Sequence, residues 1–261
     1  MQALNIAATG MMAQQLNVEV ISNNIANMRT TGFKRQRAEF QDLLYQNLVR
    51  AGSASSSTGS TIPAGIQVGV GVKTGSTYRI MTQGSLVNTE KPLDVGIRGK
   101  GFYQISMPDG RTAYTRDGAF ALDSTGTLVN QQGYALEPQI TIPTNALDVS
   151  INAEGLIQVT TAGSSTPTDV GQMQLARFIN TAGLEAIGDN LYLETAASGT
   201  ATTGNPGTDG MGGLLQNFLE QSNVNAVSEI SDLIMAQRAY EMNSKVITAA
   251  DEMMRATSNL R

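Results

Sequence analysis

Both ends of this chain carry apolar residues at the repeat of a helix that needs a partner, and that repeat constrains everything between them. Every seventh residue from Leu4 gives Leu4, Met11, Val18 and Ile25, and the interleaved series gives Ala7, Gln14, Ile21 and Met28. A 3-4 stripe held this long marks a helix laid along another helix. Gln14 is its one polar break. The residues between the stripe positions (Gln15, Asn17, Glu19, Ser22, Asn23, Asn24 and Asn27) carry almost no charge, which suits packing beside further helices. The stripe is expected to end near Thr30-Thr31-Gly32, with Gly32 in the left-handed position that follows a helix.

A second stripe closes the chain. From Ile230 it runs through Leu233, Ala236, Tyr240, Ile247, Ala250 and Met254, with Asn243 and Thr257 as polar interruptions. Asn225 is placed to cap the first turn, Glu229 and Asp232 lie early, and Arg255 and Arg261 lie late, as the helix dipole favours. Glu241 to Lys245 and Asp251 to Arg255 are i,i+4 pairs in the favourable order. A lone helix of this kind is marginal, because the entropy lost on ordering it is about balanced by stripe burial and backbone hydrogen bonds. Both termini are therefore expected to be largely unfolded in the free monomer, and to become helical by packing against each other and against neighbouring copies.

Composition then removes most chemistry. The 261 residues include no Cys, no His and no Trp, so disulfides, imidazole or thiolate metal sites and Ser-His-Asp or Cys-His catalysis are all excluded. An apolar content of 41% is enough for a real core, in one large or two modest domains. No apolar run is long enough to span a bilayer, and the start lacks the pattern of a cleavable signal peptide. A net charge of -5 with only 15% charged residues argues against nucleic acid or an anionic membrane surface as partner.

Between the stripes, Phe33-Lys34-Arg35-Gln36-Arg37 leads into Phe40, Leu43, Leu44, Tyr45, Leu48 and Val49, a short helix or an extended arm. Ala51 to Thr61 (AGSASSSTGST) has the composition of a flexible linker, and Gly65 to Val72 alternates like a strand. From Thr77 to about Leu193 the pattern is antiparallel β. Turn signals recur at Asp109-Gly110, Asp117-Gly118, Thr125-Gly126 and Gln132-Gly133, and Pro138, Pro143, Pro167 and the Ala162 to Thr168 stretch mark edge loops. Ser198 to Gly213 reads as a second connector. The architecture is helix, arm, β domain, connector, helix.

No constellation in this sequence supports an enzyme, a cofactor or a metal site. Gly69-Val70-Gly71-Val72-Lys73-Thr74-Gly75 meets neither recognised phosphate-loop spacing, and Gly96 to Gly101 is better explained as a tight strand bend. Asp109 and Asp117 precede glycine as hairpin-tip residues do. The six Phe and seven Tyr are dispersed, and Tyr240 reads as a packing residue on its stripe.

Several longer motifs carry a resemblance. Ala8-Thr9-Gly10-Met11, Ile21-Ser22-Asn23-Asn24-Ile25-Ala26-Asn27 and Thr31-Gly32-Phe33-Lys34 resemble the N-terminal signature of the flagellar basal-body rod and hook family. Glu220-Gln221-Ser222-Asn223-Val224-Asn225 and Leu233 to Lys245 resemble its C-terminal motif, and Leu93 to Tyr103 and Gly183 to Tyr192 resemble its β-domain landmarks. Within the family the distal-rod type fits best, on Tyr114-Thr115-Arg116-Asp117-Gly118, Asn223-Val224-Asn225 and an added segment at about 46–72. Hook proteins typically carry a further β domain for which this chain has no room. The proximal rod is the nearest alternative; an unrelated secreted carbohydrate-binding or enzymatic β domain is the rival from another class.

The resemblance implies an α+β fold with terminal helices paired as a coiled-coil domain around a central antiparallel β domain. Residues 1–32 would be the N-terminal helix, 33–80 an extended arm with the 46–72 insertion, 81–213 the β domain with its connector, and 214–261 the C-terminal helix. It implies copies stacked into a straight, rigid, hollow drive shaft, with the proximal rod, the hook, the surrounding rings and the type III export apparatus as partners, and with no nucleic acid and no membrane insertion. Self-assembly would fall on Leu4, Met11, Val18, Ile21, Ile25, Met28, Ile230, Leu233, Tyr240, Ile247 and Met254.

Overall fold

The computed structural model describes residues 2–52, 63–161 and 166–259. Most of the Ala51 to Thr61 linker, part of the 46–72 segment, the start of the Ala162 to Thr168 loop and Arg261 lie outside the described residues. The fold is α+β: helix α1 (Gln2–Ala26) and helix α2 (Ala226–Asn259) flank a β region whose described pairings are antiparallel. Contacts divide the chain into two units, one of Met1–Ala26, Gln36–Tyr78 and Asn225–Arg261, the other of Asn27–Arg35 and Arg79–Val224.

In the first unit the two helices lie against each other in opposite directions. Gly10 approaches Asn243 so closely that an added Cβ would sit 2.8 Å from the Asn243 Nδ2, and Asn24 Nδ2 donates to Glu229 Oε2 at 3.0 Å. Asn225 caps α2 as its sequence position predicts, its Oδ1 accepting from the Val227 N–H at 3.0 Å. Beside the helices, Gln36–Asp42 pairs with Val72–Arg79, and Tyr45–Val49 pairs with Ile66–Gly69. The Leu43 N–H to Gly71 carbonyl bond (2.9 Å) and the Val70 N–H to Leu44 carbonyl bond (3.3 Å) join these pairs into one two-stranded ribbon. The stretch from Phe40 to Val49 is thus extended and not helical.

In the second unit, Phe102–Ser106 is the centre of a nine-stranded sheet. It is buried on both faces. Tyr103 and Ile105 point into the main aliphatic core, while Phe102 joins Tyr114, Phe178 and Tyr192 in an aromatic cluster packed edge to face, with Tyr114 and Phe178 centroids 4.7 Å apart. Ala146–Ile151, Leu156–Thr161 and Thr168–Gln172 form a three-stranded sheet that closes the core with Ile151, Ile157 and Val159. Gly213–Gln216 pairs with Val95–Arg98, and Phe218–Glu220 pairs with Leu86–Asn88.

Several boundaries differ from the sequence expectation for physical reasons. Helix α1 stops at Ala26, not at Gly32, so Met28 lies outside it: residues 27–35 form turns whose polar groups are taken by the sheet unit. Helix α2 begins at Ala226 and not near residue 214, because 213–220 is spent on two sheet strands. The Ser198 to Gly213 connector contains the strand Thr202–Gly204, paired with Leu175–Arg177. Gly110, Gly126 and Gly133 occupy left-handed turn positions, but Gly118 does not; it is where the Val95 carbonyl comes too close for any Cβ.

Candidate functional site

Three of the sequence motifs meet at one buried carboxylate. Glu220, at the end of its strand, is fully buried, and its Oε1 accepts from Lys34 Nζ at 2.6 Å and from the Gly84 N–H at 2.8 Å. Its Oε2 accepts from Arg116 Nε at 2.9 Å and Nη2 at 2.6 Å. The guanidinium is committed further, Nη1 donating to the Gly99 and Gly101 carbonyls at 2.8 and 2.7 Å. Lys34 Nζ also donates to the Thr82 carbonyl at 2.8 Å. Lys34 and Arg116 are as buried as their anion, so this is a desolvated charge cluster with hydrogen bonds replacing the lost water.

The backbone around it is pinned as well. Gly32 donates its N–H to the Glu220 carbonyl at 2.7 Å, at a φ of 69°, with the Asp117 N only 2.9 Å from where a Cβ would stand. A side chain at that position is excluded twice, by conformation and by space. Asn190 Nδ2 holds the Thr31 carbonyl at 3.0 Å. Asn223 accepts the Arg35 N–H at 2.7 Å and donates to the Ile80 carbonyl at 2.8 Å and to Thr82 Oγ1 at 2.9 Å. The segment following α1 and the segment preceding α2 are thereby both fastened to the sheet unit.

Electrostatics follow from burial. Desolvation pulls the Lys34 ammonium below the ordinary lysine range, with Glu220 opposing that and Arg116 adding to it. Next to the cluster, burial raises the Asp117 carboxyl above its ordinary value, against a hydrogen bond from the Ala119 N–H. The Tyr103 hydroxyl donates to the Val95 carbonyl at 2.7 Å, and burial pushes its ionisation far upward. A carboxylate saturated by two cations has no lone pair to offer as a general base. Among the described residues no group of three or more His, Cys, Asp or Glu could hold a metal ion, and no helix is long and apolar enough to cross a membrane.

The stripe residues fall on different faces. Ile21 is buried, and Leu4, Met11, Val18, Ile25, Leu233 and Ile247 are half-buried. Met28, Ile230, Tyr240 and Met254 are exposed, Tyr240 at 44%. Where the helices meet, Gly10 lies against Asn243 and Asn24 against Glu229, and the buried residues are Ala7, Ala13, Val20, Ile21 and Asn24 on α1 and Glu229, Ala236 and Ala250 on α2. Asn24 is central to it: besides Glu229, its Nδ2 reaches the Gln36 carbonyl at 2.8 Å and its Oδ1 accepts the Gln36 N–H at 2.8 Å. That Glu229 and Asn243 fall two heptads apart was the available signal.

The chain is similar to known proteins along its length. Residues 4–34 match the family described as flagella basal body rod protein, 96–159 the flagellar hook protein FlgE/F/G D1 domain, and 215–260 the flagellar basal body rod FlgEFG protein C-terminal region. These ranges contain Lys34, Arg116 and Glu220 respectively. The chain belongs to the flagellar basal-body rod and hook family, a family of structural proteins and not of enzymes. Its full-length likeness is to the flagellar basal-body rod protein FlgG: 63% identity to that of Caulobacter vibrioides over 100% of both chains, 48% to that of Buchnera aphidicola subsp. Schizaphis graminum over 99% of both, and 40% to that of Bacillus subtilis over 100% of this chain and 99% of the relative. The hook protein FlgE of Treponema pallidum matches at 42% over 50% of this chain and 27% of its own length. This chain is a structural subunit of the flagellar basal-body distal rod.

Proposed function

We propose that the chain polymerises helically, through α1 and α2 paired as a coiled-coil domain, into a straight, rigid, hollow shaft that carries torque from motor to hook and lets export substrates pass. The observation that carries this reading is the set of stripe residues left uncovered in a single chain: Ile230, Tyr240 and Met254 are each at least 40% exposed, at the same spacing that packs a helix on a helix. Contacts that join one patch to a different patch build an open filament when the rotation does not close. Both helices are only marginally stable alone, so in the free monomer they are largely unfolded and gain order from neighbours. The charge cluster then receives the load, since the chain leaving either helix is fastened at Lys34 or Glu220 to the sheet core.

The ribbon is the extended arm of this assembly. A two-stranded ribbon is marginal in water, and this one displays Leu44 at 87%, Leu48 at 60% and Ile66 at 55% exposure. Residues 46–72 dock between the β domains of neighbouring copies and remove the sliding that lets a hook bend. Other contacts are with copies of the same chain, the proximal rod, the hook, the surrounding rings and the export apparatus. Electron microscopy of the assembled protein tests the reading: wild type forms straight tubes, and Ile25→Asp or Ile247→Asp abolishes them. Tubes that persist in both variants refute it, and straight tubes after deletion of 46–72 refute the arm's role.

A further inference from the structure

The outer face of the nine-stranded sheet carries a groove that neither the charge cluster nor the helices use. Alternation along Phe102–Ser106 sends Tyr103 and Ile105 into the aliphatic core and turns Phe102 and Gln104 to the other face, where Phe102 joins the aromatic cluster. Gln104 is 7% exposed, and its side-chain amide makes no hydrogen bond with any described residue. Such an amide weakens a fold, because it has given up water without a replacement. It lines a groove of about 540 Å³, within the range of about 300–1,000 Å³ usual for ligand sites.

The groove is built for hydrogen bonding with little charge. Glu137 is paired with Gln104 on one side, and one step beyond the pairing of Leu175 with Tyr103, Gln174 stands on the other; all three line the groove. Gln174 likewise makes no side-chain hydrogen bond with a described residue. Glu137 has one oxygen engaged, its Oε2 accepting from Thr112 Oγ1 at 3.1 Å, which leaves Oε1 for a ligand. Gln139 and Thr203 extend the row, and Pro138 adds an apolar surface. No Lys or Arg is among the described residues that line it, which removes phosphates and nucleic acids as ligands. An added peptide strand is removed too, because the main chain of Phe102–Ser106 is already paired with Thr112–Thr115 and with Ala135–Glu137. Whatever binds here is held by side chains.

We infer that this groove binds a neutral N-acetylated oligosaccharide. Side-chain amides, a hydroxyl and one carboxylate suit a ligand that carries both donors and acceptors along its length, with apolar C–H faces between them, as linked sugar rings do. An acetamido group offers an N–H and a carbonyl to the amides of Gln104 and Gln174 and a methyl to Pro138. Ring hydroxyls donate to Glu137 and exchange hydrogen bonds with Thr203 and Gln139. The row spans neighbouring strands, so it takes a chain of sugars and not a single ring. This goes beyond the assembly reading and does not depend on it, because every residue of the groove belongs to the sheet unit.

The test uses the full-length chain in dilute, unassembled form, titrated with triacetylchitotriose and, in parallel, with cellotriose, which has the same linkage and no acetamido groups. Saturation-transfer NMR is expected to show contact at the acetamido methyls, and cellotriose is expected to bind at least about tenfold more weakly. Gln104→Met and Gln174→Met, which keep the side chain's shape and remove its amide, should each weaken the acetylated sugar by about tenfold, the loss of one good hydrogen bond. Gln104→Met should melt no lower than wild type, since an unpartnered amide has gone; a lower midpoint marks an amide that serves the fold and overturns the argument. No binding of triacetylchitotriose, or binding unchanged in both variants, refutes the site. Equal affinity for cellotriose refutes the acetamido assignment, and an uncharged Ser-Gln peptide that binds in place of the sugar refutes the choice of ligand.

Discussion

Replacing Glu220 with Gln should cost the protein more than any other isosteric change in it. The side chain keeps its shape, but Lys34 and Arg116 remain buried with no counter-charge, and of the four hydrogen bonds that the carboxylate accepts, the amide nitrogen can accept none. Removing one partner from a buried ion pair costs about 3–5 kcal/mol. For a unit of this size each kcal/mol moves the midpoint by about 2–4 °C, so a fall of about 6–20 °C is expected. Tyr103, Tyr114 and Tyr192 are buried in the sheet unit and no Trp is present, so near-ultraviolet circular dichroism of tyrosine follows this unit's melting. The double variant Glu220→Gln with Lys34→Met should recover part of the loss, because one stranded cation has gone. A Glu220→Gln melt within about 1 kcal/mol of wild type, well under the range for breaking a buried pair, would falsify the claim that this carboxylate holds the two segments. So would a double variant that is worse than the single one.

Three further expectations rest on single groups. Asn24→Ala strands the Gln36 N–H and carbonyl and one bond to Glu229, at about 1–3 kcal/mol per unsatisfied buried group; far-ultraviolet circular dichroism of the assembled protein in denaturant should show earlier loss of helix, and an unchanged midpoint would contradict the role given to this residue. Asp117 has a carboxyl raised by burial, so the folded state holds its proton to higher pH than the unfolded state does, and stability falls as pH rises from the ordinary value of 3.8 through the raised one. Asp117→Asn, which can still accept from the Ala119 N–H, should therefore melt higher than wild type at pH 7 and converge with it in acid. Equal melting at both pH values would refute this. Lys34 has the opposite sign: its lowered value means that stability rises as pH climbs from the folded value toward 10.5, and Lys34→Met should flatten that slope.

Local signals were readable from sequence, and distant ones were not. The Asn225 cap and the turns at Gly110, Gly126 and Gly133 depend on a few adjacent residues, and they stand where composition placed them. The helical ends were visible, and the α2 stripe already held Ala236, Asn243 and Ala250, while the α1 stripe held the buried Ala7 and Ile21 but missed Gly10 and Asn24. Close approach of two helices selects Gly10, Ala236 and an asparagine, not Leu4 or Tyr240, because small residues let the axes come together. The charge cluster had no periodic signature at all. Lys34 and Glu220 are 186 residues apart, Arg116 and Glu220 are 104, and each sat in a short motif whose meaning lay in the other two. The end of α1 was misplaced for the same reason: Gly32 has the conformation that follows a helix, but what it serves is the Glu220 carbonyl.

A ribosome delivers Lys34 and Arg116 first and Glu220 more than a hundred residues after Arg116. Until that carboxylate emerges, the strands Leu86–Asn88 and Val95–Arg98 lack their partners as well, so the sheet unit has no way to close on an incomplete product. A chain that stops short of Glu220 leaves Lys34 and Arg116 without their counter-charge. The cluster thereby ties closure of the sheet unit to the arrival of a single late carboxylate.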